Sequence, residues 1–211
     1  FMGLTEAEYT DYVKKFAYTP VDGLRNLQWG EAFYLPMVEV IKYLQANDFQ
    51  VYIVSGSERA LVRVLVCDLL NIPTNHIIGT DIATYAAHQN GVDGLDYTYR
   101  KDDYIVRGEF VIKNLKMNKV SNIIEKIGKQ PVLSFGNSSG DGSMDNYTIH
   151  NNKYKTGCYM LCCDDTEREN GSASKADKMV KMCQENGWTP VSMKDDWKTI
   201  YGNGVTYKGK K

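Results

Sequence analysis

The stretch from Pro131 to Asp145 constrains this chain more than any other. An apolar run, Pro131 to Phe135, is halted by Gly136 and followed by Asn137, Ser138, Ser139, Gly140 and Asp141. A short apolar run bounded by glycine and small polar residues reads as a buried strand that stops abruptly. The loop at the carboxyl end of such a strand is where open α/β sheets bind their ligands. Asn137 and Asp141 bring two side-chain oxygens into that tight loop, a donor set suited to a hard divalent cation such as magnesium. Surface turns use the same residue types, so the neighbouring segments have to decide between the two readings.

Those segments alternate strand and helix. Thr5 and Glu8 form a capping-box pattern, and Tyr9, Tyr12, Val13 and Phe16 continue a helical stripe. Residues 18–30, with Pro20, Gly23 and Gly30, form a connector. Met37, Val38, Val40, Ile41 and Leu44 mark a second helix, with Pro36 tolerated at its start. Val51 to Val54 reads as a buried strand. Leu61, Val62, Leu65, Val66, Leu69 and Leu70 then give an amphipathic helix that stops before Pro73. His76 to Gly79 is a short strand, completing a strand, helix and strand order that implies a parallel sheet.

Between residues 97 and 112, Tyr97, Tyr99, Tyr104, Val106, Phe110 and Ile112 alternate with polar residues around Lys101 to Asp103. That pattern predicts an inserted antiparallel hairpin. Val120, Ile123, Ile124 and Ile127 mark a further helix, Cys158 to Cys162 a strand, Ala176 to Asn186 a helix, and Thr189 to Met193 an edge strand. The tail, 201–211, is expected to be mobile.

With 211 residues, 43% hydrophobic and 24% charged, the chain can bury a full core as one domain, or as one domain with an appendage. A net charge of -1 with both signs dispersed argues against nucleic-acid or anionic-membrane partners. No apolar run approaches the roughly 18 residues of a membrane span. The cysteines, 67, 158, 162, 163 and 183, are odd in number and lie in apolar segments, which favours reduced, buried thiols over a disulfide framework. Reduced thiols point toward the cytoplasm, but Phe1 in place of Met leaves open a lost targeting segment. No His accompanies the cysteines at zinc-ligand spacing.

Three further positions can carry chemistry. Ser55 ends a strand just before a helix, so its hydroxyl and the backbone N–H groups from Gly56 onward form an anion site suited to phosphate. The alternative is that Ser55 or Ser57 caps the helix, with Glu58 complementing its dipole. Lys119, with Lys116 nearby, stands at a helix start, where a cation opposes the dipole by roughly 0.3 to 1 kcal/mol. Such a placement calls for an anion nearby, unless the lysine snorkels to solvent.

The order of hydroxyl, lysine and acidic loop resembles the haloacid dehalogenase (HAD) superfamily, in its phosphoserine-phosphatase-like branch. Ile53 to Glu58 matches the second motif, Lys119 the third, and Phe135 to Asp141 with Met144 the fourth. Residues 187–197 and Asp164 to Arg168 resemble segments of bacterial phosphatase-like members. The likeness covers roughly residues 33–200. It implies a HAD-like, Rossmannoid three-layer α/β sandwich with a mostly parallel sheet, an inserted hairpin and a partial helical cap. Residues 1–30 would be a cap remnant and connector, 31–200 the core, and 201–211 the tail.

The implied reaction is magnesium-dependent hydrolysis of a small phosphomonoester through an aspartyl-phosphate. In it Ser55 and Gly56 bind phosphoryl oxygens, Lys119 neutralises charge, and Asn137 and Asp141 hold Mg2+. Two departures stand out. Position 137 is Asn where Asp is usual, and residues 1–50 contain no match to the Asp-x-Asp-x-Thr nucleophile motif of the first strand. That strand would lie centrally, between those at 51 and 131, and its loss would leave backbone groups unpaired at about 1 to 3 kcal/mol each. The expectation is an N-terminal segment carrying this strand and the nucleophile, without which the 211 residues are inactive. Competing readings are a HAD dehalogenase, which the metal-capable loop disfavours, and a non-catalytic phosphate-binding or interaction protein. Asp164, Asp165 and Glu167 could reach the rim of the site or form a solvated acidic loop, the tyrosine-rich hairpin could wall the site or serve core and edge packing, and His76, His88 and His150 read as structural or surface residues.

Overall fold

The computed structural model describes residues 1–202 and 204–208, and its architecture is α/β. In chain order the elements are α1 (Glu6–Ala17), β1 (Leu24–Arg25), α2 (Leu35–Ala46), β2 (Ile53–Glu58), α3 (Arg59–Leu70), β3 (Ile77–Ala86) and β4 (Ile105–Ile112). There follow α4 (Met117–Ile127), β5 (Leu133–Gly136), α5 (Gly142–Ile149), β6 (Gly157–Cys162), α6 (Ala173–Asn186), β7 (Thr189–Ser192) and β8 (Thr206–Tyr207). No described helix is long and apolar enough to cross a membrane.

The strands form two three-stranded sheets, β2-β3-β4 and β5-β6-β7, and a ribbon of β1 with β8. Every pairing in the two larger sheets is parallel except β3 with β4. Side chains alternate across a strand, and the packing follows that period. Ile77 joins Val62, Val66 and Leu70 of α3, while Ile78 joins Ile123 of α4 and Met144 of α5 on the opposite face. In β6, Cys158, Met160 and Cys162 meet α6 through Ala176, Met179 and Cys183, whereas Leu161 faces Met193, Trp197 and Met37. Helices therefore cover both faces, giving three layers.

Several sequence expectations change. Gly79 does not end its strand. A Cβ there would lie 2.7 Å from the Arg59 Cα, so the glycine admits the start of α3 against the strand, and β3 runs on through the β-branched residues Thr80, Ile82 and Thr84. The antiparallel partner of β4 is this extension, not residues 97–99. Lys101 to Asp103 is not a hairpin tip, because the Asp103 carboxylate folds the 87–104 loop around itself, accepting from the His88 and Arg100 backbone N–H groups and the Tyr97 hydroxyl.

The capping box of Thr5 and Glu8 forms as expected. Helix α1, expected in a cap, packs on α3 through Tyr9, Val13 and Ala60, and Arg107 of β4 lies over the Tyr9 ring while pairing with Glu58 at 2.5 Å. In the tail expected to be mobile, β8 pairs with β1, and residues 203 and 209–211 lie outside the described residues. All five cysteines are free, with Cys158, Cys162 and Cys183 buried.

Candidate functional site

Lys119, Asp141 and the Ser55 segment meet at the carboxyl ends of β2 and β5. The first turn of α4 is set by Lys116, whose φ of 52° and ψ of -126° lie in a region that costs a non-glycine residue about 1 to 3 kcal/mol. The Lys116 N–H donates to the Gly140 carbonyl at 2.9 Å, which ties α4 to the acid loop and turns Lys119 inward. The lysine does not snorkel. It is 4% exposed, donates to the Val54 carbonyl at 2.5 Å and pairs with the Asp141 carboxylate at 2.7 Å.

The second oxygen of Asp141 accepts from the Asn137 and Ser138 backbone N–H groups and from the Ser138 hydroxyl, each at 3.1 Å. Burial by itself raises this carboxyl, but the Lys119 ammonium and the two N–H donors outweigh it and hold Asp141 below the usual carboxylate range. Gly136 makes the fold-back possible, since a Cβ there would lie 2.8 Å from both the Asp141 Cβ and the Met160 sulfur. Asn137 is exposed.

Ser55 lies within β2 rather than after it, because β2 continues to Glu58. Its hydroxyl accepts from the Ser57 N–H at 3.1 Å. The N-terminus of α3 starts further on, and the Glu58 carboxylate occupies it by accepting from the Ala60 N–H at 3.2 Å. The expected anion cradle of Ser55 with the first N–H groups of α3 is therefore not formed. What Ser55 and Gly56 share is a cavity of about 810 Å³, also lined by Ser57, Lys119, Asn137 and Asp141 at its polar end, and elsewhere by Tyr34, Met37, Phe135, Tyr159, Leu161 and Trp197.

Asp164, Asp165 and Glu167 do not line it. Asp164 accepts from the Ser192 hydroxyl and Asp165 pairs with Arg168. The tyrosines at 97, 99 and 104 do not wall it either.

Two features escape the sequence reading. Asn114, fully buried, donates to the Ser55 carbonyl at 2.9 Å, receives Asn122 at 2.9 Å, and its N–H bonds the Thr80 hydroxyl at 3.0 Å. Thr80 in turn donates to the Gly56 carbonyl at 2.7 Å. This network fixes the backbone of the Ser55 segment. Asp145, on the first turn of α5, is fully buried with neither oxygen in hydrogen-bonding geometry with a described residue. Burial pushes its carboxyl up to about 6; Ser134 offsets part of that, and the negative Asp141 adds to it. A second acid one helical turn after Asp141 was the available signal for Asp145, whereas no motif marks Asn114.

No cluster of three His, Cys, Asp or Glu side chains among the described residues is arranged to hold a metal ion.

No family model matches the chain, and no curated protein does. Among solved structures, a crystal structure of a phosphoserine phosphohydrolase-like protein from Francisella tularensis subsp. tularensis SCHU S4 is similar with a TM-score of 0.45 at 16% identity, over 83% of this chain and 63% of that one. The chain thus spans less than two thirds of that protein, and a likeness of this degree assigns neither family nor activity.

Proposed function

We propose that residues 1–211 form the phosphate-binding and metal-binding part of a HAD-like phosphomonoester hydrolase. The observation that carries this reading is the buried ammonium of Lys119, held between the Asp141 carboxylate and the Val54 carbonyl beside Ser55. A lysine so placed supplies fixed positive charge where a phosphoryl group accumulates negative charge, and it does so out of water, where the attraction is strongest. Ser55 and Gly56 contact the phosphoryl oxygens. Asn137 and Asp141, at the polar end of the cavity, would hold Mg2+, whose charge would neutralise phosphoryl oxygens. The attacking aspartate is supplied from outside residues 1–211. Alone, the chain binds phosphate without hydrolysing it, because no described acid other than Asp141 lines the cavity and Asp141 is engaged by Lys119.

Thermal unfolding of the chain with inorganic phosphate tests this. A rise in Tm that needs magnesium, is abolished by EDTA, and is lost in Lys119→Met and reduced in Ser55→Ala supports it. The same rise without magnesium, or in folded Lys119→Met, rejects it.

A further inference from the structure

The polar end of the cavity contains an apolar side chain that phosphate binding does not use. Leu115 lines it together with Ser57, Asn137, Ser138 and Asp141, and 38% of the residue stays exposed. Its seat is made of backbone. A Cβ on Gly56 would lie 2.6 Å from the Leu115 Cδ2, and one on Gly140 would lie 3.7 Å from the same atom. The leucine methyl therefore rests between β2 and the acid loop, against the glycines that adjoin Ser55 and Asp141.

Holding a leucine there is costly in two ways. It leaves apolar surface in water, and the next residue, Lys116, has the strained φ of 52°. Both neighbours of Leu115 are nonetheless pinned. Asn114 is buried and donates to the Ser55 carbonyl, and the Lys116 N–H donates to the Gly140 carbonyl. The turn is closed further by Asn118, whose N–H donates to the Leu115 carbonyl at 3.1 Å and whose side-chain amide donates to the Lys113 carbonyl at 2.9 Å. Two residues on, the exposed Met117 does not line the cavity. A strained turn that keeps an apolar side chain beside an anion site points to a ligand contact.

We propose that Leu115 is a specificity-determining residue, selecting phosphomonoesters whose organic group is apolar, alkyl or aryl, next to the ester oxygen. The proposal rests on phosphate binding at Ser55, Gly56 and Lys119. A phosphoryl group held there places the first carbons of its ester against the leucine methyl. Each methylene-sized piece buried on that contact is worth about fourfold in affinity. A polyhydroxylated group in the same place turns hydroxyls toward a side chain that cannot bond them, and is disfavoured.

Titrations of the 211-residue chain with inorganic phosphate, phenyl phosphate and glycerol phosphate, in magnesium and read as Kd from the rise in Tm, test this. The parent binds phenyl phosphate about tenfold tighter than glycerol phosphate. Leu115→Ala loses roughly tenfold more affinity for phenyl phosphate than for inorganic phosphate, while Leu115→Met keeps the preference and Met117→Ala leaves it unmoved. Leu115→Asn, should the alanine variant fail to fold, abolishes or reverses it. In methyl-labelled protein the Leu115 signals shift with phenyl phosphate through the ring current, and much less with inorganic phosphate. Equal affinity of the parent for the two esters overturns the proposal and leaves the phosphate site standing. A preference that persists in folded Leu115→Ala or Leu115→Asn overturns it too, since the organic group then lies elsewhere in the cavity and the leucine is structural. No binding of inorganic phosphate by the parent overturns both this proposal and the phosphate site.

Discussion

The Lys119 ammonium sits 2.7 Å from an Asp141 oxygen with the two side chains only 5% and 10% exposed. Removing one partner of a buried ion pair leaves an uncompensated charge and costs about 3 to 5 kcal/mol, whereas replacing both by apolar groups is far less costly. Lys119→Met should therefore lower the unfolding free energy by about 3 kcal/mol, and adding Asp141→Leu should restore a large part of it. Urea denaturation of the two single variants and the double variant reads this directly; additive losses would show that the pair is not coupled.

Asp145 predicts the pH dependence of the same site. Its carboxyl is raised to about 6 from an ordinary value of about 3.9. The folded state therefore binds the proton more tightly than the unfolded state, and this group's contribution is greatest below about pH 4 and is lost as pH rises to about 6. The shift corresponds to about 3 kcal/mol. In the metal-free chain, Asp145→Asn should match the parent at pH 4 and exceed its stability by up to that amount at pH 7. Asp141, held low by Lys119, acts in the opposite direction on acidification and is common to both proteins, so it cancels in the difference. Equal differences at both pH values would show that Asp145 is not buried as a carboxylate.

Lys116 holds its strained backbone with no side chain that requires it, and its N–H to Gly140 is kept by any residue except proline. Lys116→Gly should raise stability by about 1 kcal/mol, the relief of strain exceeding the added chain entropy of glycine. A lower Tm for this variant would argue that the turn is not strained.

Asn114 joins three segments through hydrogen bonds made out of water. Asn114→Ala leaves the Ser55 carbonyl and the Asn122 amide without their partners, at about 1 to 3 kcal/mol for each group. The expected loss is at least 2 kcal/mol, with faster amide exchange across residues 54–57. A variant as stable as the parent would remove the network from any role in holding Ser55.

The local rules read most of the elements correctly where one rule acted alone. The capping box at Thr5 and Glu8, the i, i+3, i+4 spacing from Val120 to Ile127 and the apolar run ending at Gly136 each name their element within a few residues. Errors arose where a residue served a distant partner. Gly79 resembles a strand end only until the backbone of Arg59 is seen against it, and Asp103 resembles a turn tip until His88 and Tyr97 close on its carboxylate. The convergence of Lys119 and Asp141 was legible because both stand at element ends. Ser55 was placed correctly in space but not in its element, since Gly56 between two serines conceals the continuation of β2. Asp145 and Asn114 were missed because burial and pairing belong to the packed chain, not to any window of sequence.

The divided sheet also bears on how the chain acquires its shape. Each half is contiguous, residues 53–112 forming one and 133–192 the other, so neither needs the other to complete its own ladders. Contacts of short sequence separation form early and cheaply, and contiguous cooperative units open independently. The halves should nucleate apart and dock late through α2 and α5, and denaturation of the 211-residue chain should proceed in two steps.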